Sequence, residues 1–80
     1  MKVNNVEIKL LDDDLINCTK IQAETYRLLA LLISLKVQSC SDEFIRKYLA
    51  LSSVLPVWSR LRHLELQGKI QISRQAAITV

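Results

Sequence analysis

Apolar residues recur along the first half of the chain at two spacings, first every second residue and then every third or fourth. The alternation at 3–11 predicts a half-buried strand whose inward residues are Val6, Ile8 and Leu10. Three aspartates at 12–14 end this strand, because aspartate favours turns over strands. From Thr19 to about Lys36 the spacing is helical, and Thr19 with Gln22 fits the capping-box pattern. The pattern therefore predicts a strand followed by a long helix.

Two shorter helical patterns follow, separated by a turn at 51–53. Ser41 is the expected cap of the first, which should last about three turns and bury Phe44, Ile45, Tyr48 and Leu51. Ser53 is the expected cap of the second, Pro56 is tolerated in its first turn, and Gly68 ends it. The predicted buried stripe of this helix is Val54, Val57, Leu61 and Leu64.

The last segment returns to an alternating pattern at 69–74. Gln75 and Ala76 are the expected turn, and 77–80 is the expected return strand, so 69–80 should form a hairpin. A length of 80 residues, without an internal repeat or low-complexity segment, predicts one domain over 1–80.

The two halves of the sequence differ in charge, and the formal net charge of the whole sequence is +3. Residues 1–40 contain five Lys/Arg and five Asp/Glu, whereas residues 41–80 contain six and three. The positive excess therefore lies in the half that contains the two short helices, which favours a polyanionic partner. On charge alone, an ordinary solvated face is an equally good interpretation.

Catalytic and metal-binding patterns are missing from the sequence. Cys18 and Cys40 lack metal-type spacing, and His63 is the only histidine, so we expect reduced thiols and no metal or cofactor. Gly68 is the only glycine, which excludes a glycine-rich phosphate loop. The longest apolar run, 28–33, is too short to span a bilayer. These observations predict a cytoplasmic protein that is not an enzyme.

The order of elements, together with two short motifs, resembles the winged helix-turn-helix domain. The motifs are the turn at 49–52, Leu-Ala-Leu-Ser, and the run Leu61-x-x-Leu64-Glu65-x-x-Gly68-x-Ile70. The resemblance is greatest to domains of bacterial, phage and plasmid regulators and replication proteins. It implies a mainly α fold with a small β-sheet: an N-terminal strand, three helices and a C-terminal β-hairpin wing.

The same resemblance implies a protein that binds double-stranded DNA, as a transcriptional regulator or a replication-initiation factor. Helix 53–67 would enter the major groove, and the 69–80 hairpin would be the wing. The expected base contacts are Leu55, Ser59 and Arg62. The expected phosphate contacts are Arg46, Lys47, Ser53, Arg60, Lys69 and Arg74.

Two statements about partners follow. One domain reads about half a site, so a homodimer is expected, and the broad apolar arc of helix 19–36 is its candidate surface. The alternative function is a protein-interaction adaptor, or a small inhibitor that docks on a larger complex. It is supported by Leu55, Trp58 and Leu66, which leave apolar surface on a helix that should be polar.

Overall fold

Three helices and a four-stranded mixed sheet form the computed structural model, which describes residues 1–73. The elements in chain order are β1 (Lys2–Val3), β2 (Val6–Leu10), α1 (Lys20–Ser34), β3 (Ser39–Cys40), α2 (Asp42–Tyr48), α3 (Leu55–Leu66) and β4 (Ile70–Ser73). The coarse prediction of three helices with a small sheet is confirmed. The return strand predicted for the wing lies outside the described residues.

The sheet has the strand order β3-β1-β2-β4. β1 pairs antiparallel with β2 and parallel with β3, and β4 pairs antiparallel with β2. The single strand predicted at 3–11 is therefore wrong, because the chain reverses at Asn4 and Asn5 to form a hairpin. Asn4 has φ +55°, a conformation that asparagine tolerates better than most residues.

The alternation of the strands divides the sheet into two faces, as the sequence predicted for β2. Ile8 is buried beneath the helices and is flanked by Val3, Ile70 and Ile72. Lys9 and its partner Gln71 lie on the opposite, exposed face. One face of the sheet is thus core and the other is solvent-facing, as is usual for antiparallel pairs.

α1 begins at the predicted capping box. The Thr19 hydroxyl accepts from the Gln22 backbone N–H at 3.1 Å, and Gln22 Oε1 accepts from the Thr19 N–H at 3.0 Å. Its inner face, which includes Leu29, packs against α3 and the sheet. Thr25 is fully buried there, and its hydroxyl donates to the Ile21 carbonyl at 3.0 Å. The helix ends at Ser34, two residues before the predicted Lys36.

All three helices end in the same way, with one residue in the left-handed region and the next N–H bonded to a carbonyl of the last turn. The left-handed residues are Lys36 (φ +65°), Ala50 (φ +57°) and Gly68 (φ +74°). The closing bonds are Val37 N–H to the Leu32 carbonyl, Leu51 to Arg46 and Lys69 to Leu64, at 3.0, 2.9 and 3.0 Å. Only the third ending has the glycine that makes it visible in the sequence.

α2 is shorter than predicted, with seven residues and two turns. Ser41 caps it as expected, because its hydroxyl accepts from the Phe44 N–H at 3.1 Å. Ile45 is fully buried, but Phe44 and Tyr48 are largely exposed, so their predicted burial is wrong. A helix this short buries a stripe only one residue wide, and Ile45 occupies it.

α3 begins at Leu55 rather than at Ser53, and no side chain caps it. A cap at Ser53 would place Pro56 at the third helical position, which removes one of the two N–H groups that the serine hydroxyl could accept from. Pro56 does lie in the first turn, as predicted. The inner residues Val57, Leu61 and Leu64 are fully buried, whereas Val54 is half-buried.

Candidate nucleic-acid interface

The outward face of α3 is exposed in the two-helix unit α2–α3. Its exposed residues Leu55, Ser59, Arg62 and Leu66 follow one another at steps of three and four, and His63 lies beside Arg62. Twelve residues make a rod about 18 Å long. The structure therefore brings the three predicted base-contacting residues together on one exposed face.

Two leucines mark the ends of this face. Leu55 is 76% exposed in the first turn, and Leu66 is 69% exposed in the last. Ser59 and Arg62 lie between them. The face thus has a polar centre and apolar ends, whereas the predicted reading face was only Leu55, Ser59 and Arg62.

Arg62 has one partner within its own helix. Its Nη1 atom lies 3.3 Å from Glu65 Oε1, and the Arg62 side chain is 57% exposed. An exposed pair with this spacing contributes about 0.5 kcal/mol or less. The pair therefore leaves the guanidinium able to turn toward another acceptor.

Arg46, predicted to contact phosphate, is held by the turn between α2 and α3. Its Nε atom donates to Glu43 Oε1 at 2.6 Å, and its Nη1 atom donates to the Leu51 carbonyl at 2.8 Å. The bond to Glu43 raises the pKa of Arg46 and lowers the pKa of that carboxyl. Arg46 thus fixes the turn, and much of its charge is offset by Glu43.

The remaining predicted phosphate contacts are spread over more than one side of the unit. Lys47 and Ser53 are exposed near the turn, on the side of the α3 N-terminus. Arg60 is half-buried on the flank of α3 opposite Trp58, because two residues apart on a helix means about 200° of rotation. Within residues 1–73, neither Lys47 nor Arg60 forms an ion pair.

Lys69 lies at the other end of α3. Its Nζ atom is 3.1 Å from Asp12 Oδ2, and the Lys69 side chain is mostly covered. This bond raises the pKa of Lys69. The pKa of Asp12 is lowered, first by the backbone N–H of Asp14 and then by Lys69. Lys69 is therefore not grouped with Lys47 and Ser53, and the remaining predicted contact, Arg74, lies outside the described residues.

Sequence reasoning missed the residues that orient α3. Trp58 Nε1 donates to Asp42 Oδ2 at 2.9 Å, and the Asp42 N–H donates to Asn4 Oδ1 at 3.1 Å. The indole bond is the main cause of the lowered pKa of Asp42. These contacts join α3, the first residue of α2 and the turn of the N-terminal hairpin. Their separations of 16 and 38 residues follow no local spacing, so no pattern could have predicted them.

Other chemistry is limited in this part of the chain. Within residues 1–73, no three histidine, cysteine, aspartate or glutamate side chains are grouped as metal ligands. Cys18 and Cys40 are free thiols, and burial raises the pKa of Cys40. Among the same residues, no helix combines the length and apolar composition needed to cross a bilayer.

No family model, curated protein or solved structure matches the chain.

Proposed function

We propose that the protein binds double-stranded DNA by inserting the outward face of α3 into the major groove, in the manner of a winged helix-turn-helix domain. The observation that carries this proposal is the exposed polar centre of α3, Ser59 and Arg62, on a helix whose opposite face is fully buried. A major groove about 12 Å wide admits an α-helix. Transcriptional control and replication initiation are the settings that this function suits.

Six residues of the α2–α3 unit then have roles in binding. Arg62 exchanges Glu65 for the two acceptors of a guanine, and Ser59 bonds a base or a phosphate. Leu55 contacts a thymine methyl group. Lys47 and Ser53 are placed to bind phosphates beside the groove, whereas Arg46 acts indirectly by holding the turn.

The residues after β4 complete the proposed wing. β4 pairs antiparallel with β2 and ends opposite Glu7, on the side of the hairpin turn that Asn4 ties to α2. β4 therefore ends on the side of the sheet where α2 begins. In this proposal, 69–80 is the wing and Arg74 is its contact with DNA.

Arg62→Ala tests the assignment of the reading face. We expect its affinity for a duplex selected from a random library to fall roughly tenfold, because one bidentate base contact is lost. The loss should be smaller on unselected duplex. Lys9→Ala, which removes an exposed cation from the outer face of the sheet, is the control and should change affinity less than about twofold. Fluorescence anisotropy over a salt series measures both variants.

Three results would count against the proposal in different degrees. An equal loss of affinity on every duplex would make Arg62 a phosphate contact, and unchanged affinity would remove it from the interface. Absence of wild-type binding to any duplex at low salt would overturn DNA binding altogether, because phosphate contacts are strongest there.

The exposure of Leu55 and Leu66 supports a second candidate, a module that docks α3 on another protein. Exposed apolar side chains of this size commonly mark protein interfaces. Under this proposal, Leu55→Ser would abolish binding to the partner, and Arg62→Ala would have little effect. Under the DNA proposal, Arg62→Ala has the larger effect.

A further inference from the structure

The outward face of α1 carries apolar side chains that the described fold does not cover. Ile21 is 49% exposed, Leu31 44% and Leu35 64%. Beside them, Leu28 and Leu31 border an open depression of about 400 Å³ between α1 and α2, with Tyr48 and Leu49 on its far side. We call the exposed residues Ile21, Leu31 and Leu35 the α1 stripe, of which Leu35 directly follows the helix.

We propose that the α1 stripe pairs with the α1 stripe of a second copy, with the two helices antiparallel about a two-fold axis. This inference goes beyond DNA binding and does not rest on it. A two-fold interface must be complementary to itself, so a residue pair that meets across it is repeated on the other side of the axis. The outward face of α1 meets this requirement in two ways.

The first is charge. Glu24 and Arg27 line the depression and are three residues apart. Within residues 1–73, neither forms an ion pair in its own chain. An antiparallel copy places Glu24 of each helix opposite Arg27 of the other, because the axis falls midway between them. A parallel copy would instead place like charges together.

The second is an apolar pair centred on the same part of the helix. The midpoint of Ile21 and Leu31 is residue 26, next to the midpoint of Glu24 and Arg27. One axis therefore places Ile21 of each copy against Leu31 of the other. The charged pair and the apolar pair thus have nearly the same centre on the helix.

A charge-exchange experiment tests this arrangement. Glu24→Arg places arginine against Arg27 of the second copy, and Arg27→Glu places glutamate against Glu24. Each variant alone should dimerise roughly tenfold more weakly than the wild type, because two attractive contacts become repulsive. An equimolar mixture should recover the wild-type affinity as a heterodimer, because both contacts are then attractive. Sedimentation velocity over a concentration series measures all four samples.

Leu31→Glu tests the apolar contacts of the proposed dimer, and Leu66→Glu is its matched control. Both replace an exposed leucine on a long helix, but only Leu31 belongs to the α1 stripe. We expect the first to be monomeric and the second to dimerise as the wild type does, with equal helical content by circular dichroism.

Two results would overturn the proposal. The first is a wild-type protein that stays monomeric at the highest soluble concentration. The second is a dimer that the mixture of Glu24→Arg and Arg27→Glu does not restore, which would show that α1 is not paired antiparallel. Neither measurement involves DNA, so this inference and the DNA-binding proposal can fail separately.

Discussion

The two long helices, α1 and α3, pack against each other but are held in place by different contacts. Each buries one face completely, with Leu29 in α1 and Leu61 in α3 as fully buried residues. α1 is held at its start by a local capping box, whereas α3 has no side-chain cap and is held by the distant contact from Trp58 to Asp42. The helix with the candidate site is therefore positioned by tertiary contacts.

Their outward faces differ as well. The outward face of α1 has Ile21 and Leu31 toward its ends, with the acid Glu24 and the base Arg27 between them. The outward face of α3 has Ser59 and Arg62 at its centre and leucines only at its ends. An acid and a base at the centre suit a second copy, in which each meets its opposite, whereas a polar centre with a cation suits the groove of a polyanion. This difference is the basis for assigning the two helices to different partners.

The largest expected effect tests whether the inner faces of α1 and α3 contribute equally to stability. Leu29→Ala and Leu61→Ala should each destabilise the fold by about 2–5 kcal/mol, because each removes a fully buried side chain and leaves a cavity. Leu66→Ala, on the exposed face of α3, should change stability by less than about 0.5 kcal/mol. Urea unfolding measures all three. A small loss at Leu61 but a large one at Leu29 would mean that α3 is only loosely attached.

The elements that the sequence predicted correctly depend on contacts between near neighbours. The capping box of Thr19 and Gln22 and the Ser41 cap use bonds three residues apart, so they were readable as short patterns. The buried stripe of α3 followed from its spacing alone. Gly68 was recognised as a helix end because glycine is the usual left-handed residue.

The errors arose where a distant contact or an uncommon residue decides the structure. The N-terminal hairpin turns at Asn4 and Asn5, a turn without the glycine that commonly marks one. The helix ends at Lys36 and Ala50 were hidden for the same reason. For the candidate site, the exposed face of α3 was predicted. The bonds of Arg46 to Glu43 and Leu51 were not predicted, because a sequence does not distinguish an arginine that is free from one that is hydrogen-bonded within the fold.

The next largest effect comes from the hydrogen bonds that hold the first turns of α1 and α3. Trp58→Phe removes the indole N–H that bonds Asp42 and should cost about 1 kcal/mol, since the bond is partly exposed. Thr19→Ala, which breaks the capping box of α1, should cost a similar amount. Only Trp58→Phe should also weaken DNA binding, because it alone releases the orientation of α3. Thermal unfolding and duplex affinity, measured on both variants, separate the two effects.

The Trp58 bond also has a pH signature. Because it lowers the pKa of Asp42, the folded protein binds that proton less readily than the unfolded chain. Its contribution to stability is therefore present above the ordinary pKa of 3.8 and is lost as pH falls through the lower, folded value. Trp58→Phe should be less destabilising in acid than at neutral pH. An equal loss of stability at both pH values would show that the indole bond does not hold Asp42 in its charged form.

The smallest expected effect concerns the residues that end α1 and α3. Lys36→Gly and Gly68→Ala should change the stability of the protein in opposite directions. Lys36 takes a left-handed conformation at the end of α1 that costs a side-chain-bearing residue about 1 kcal/mol, and Gly68 takes it at the end of α3 without that cost. Lys36→Gly should therefore stabilise the protein by up to about 1 kcal/mol, less the entropy that glycine loses on folding. Gly68→Ala should destabilise it by about 1 kcal/mol. A β-carbon at residue 68 would meet no atom within 4 Å, so this loss would come from backbone strain alone. Thermal unfolding of both variants checks the signs, and a gain in stability for Gly68→Ala would show that the end of α3 is not held in the left-handed conformation.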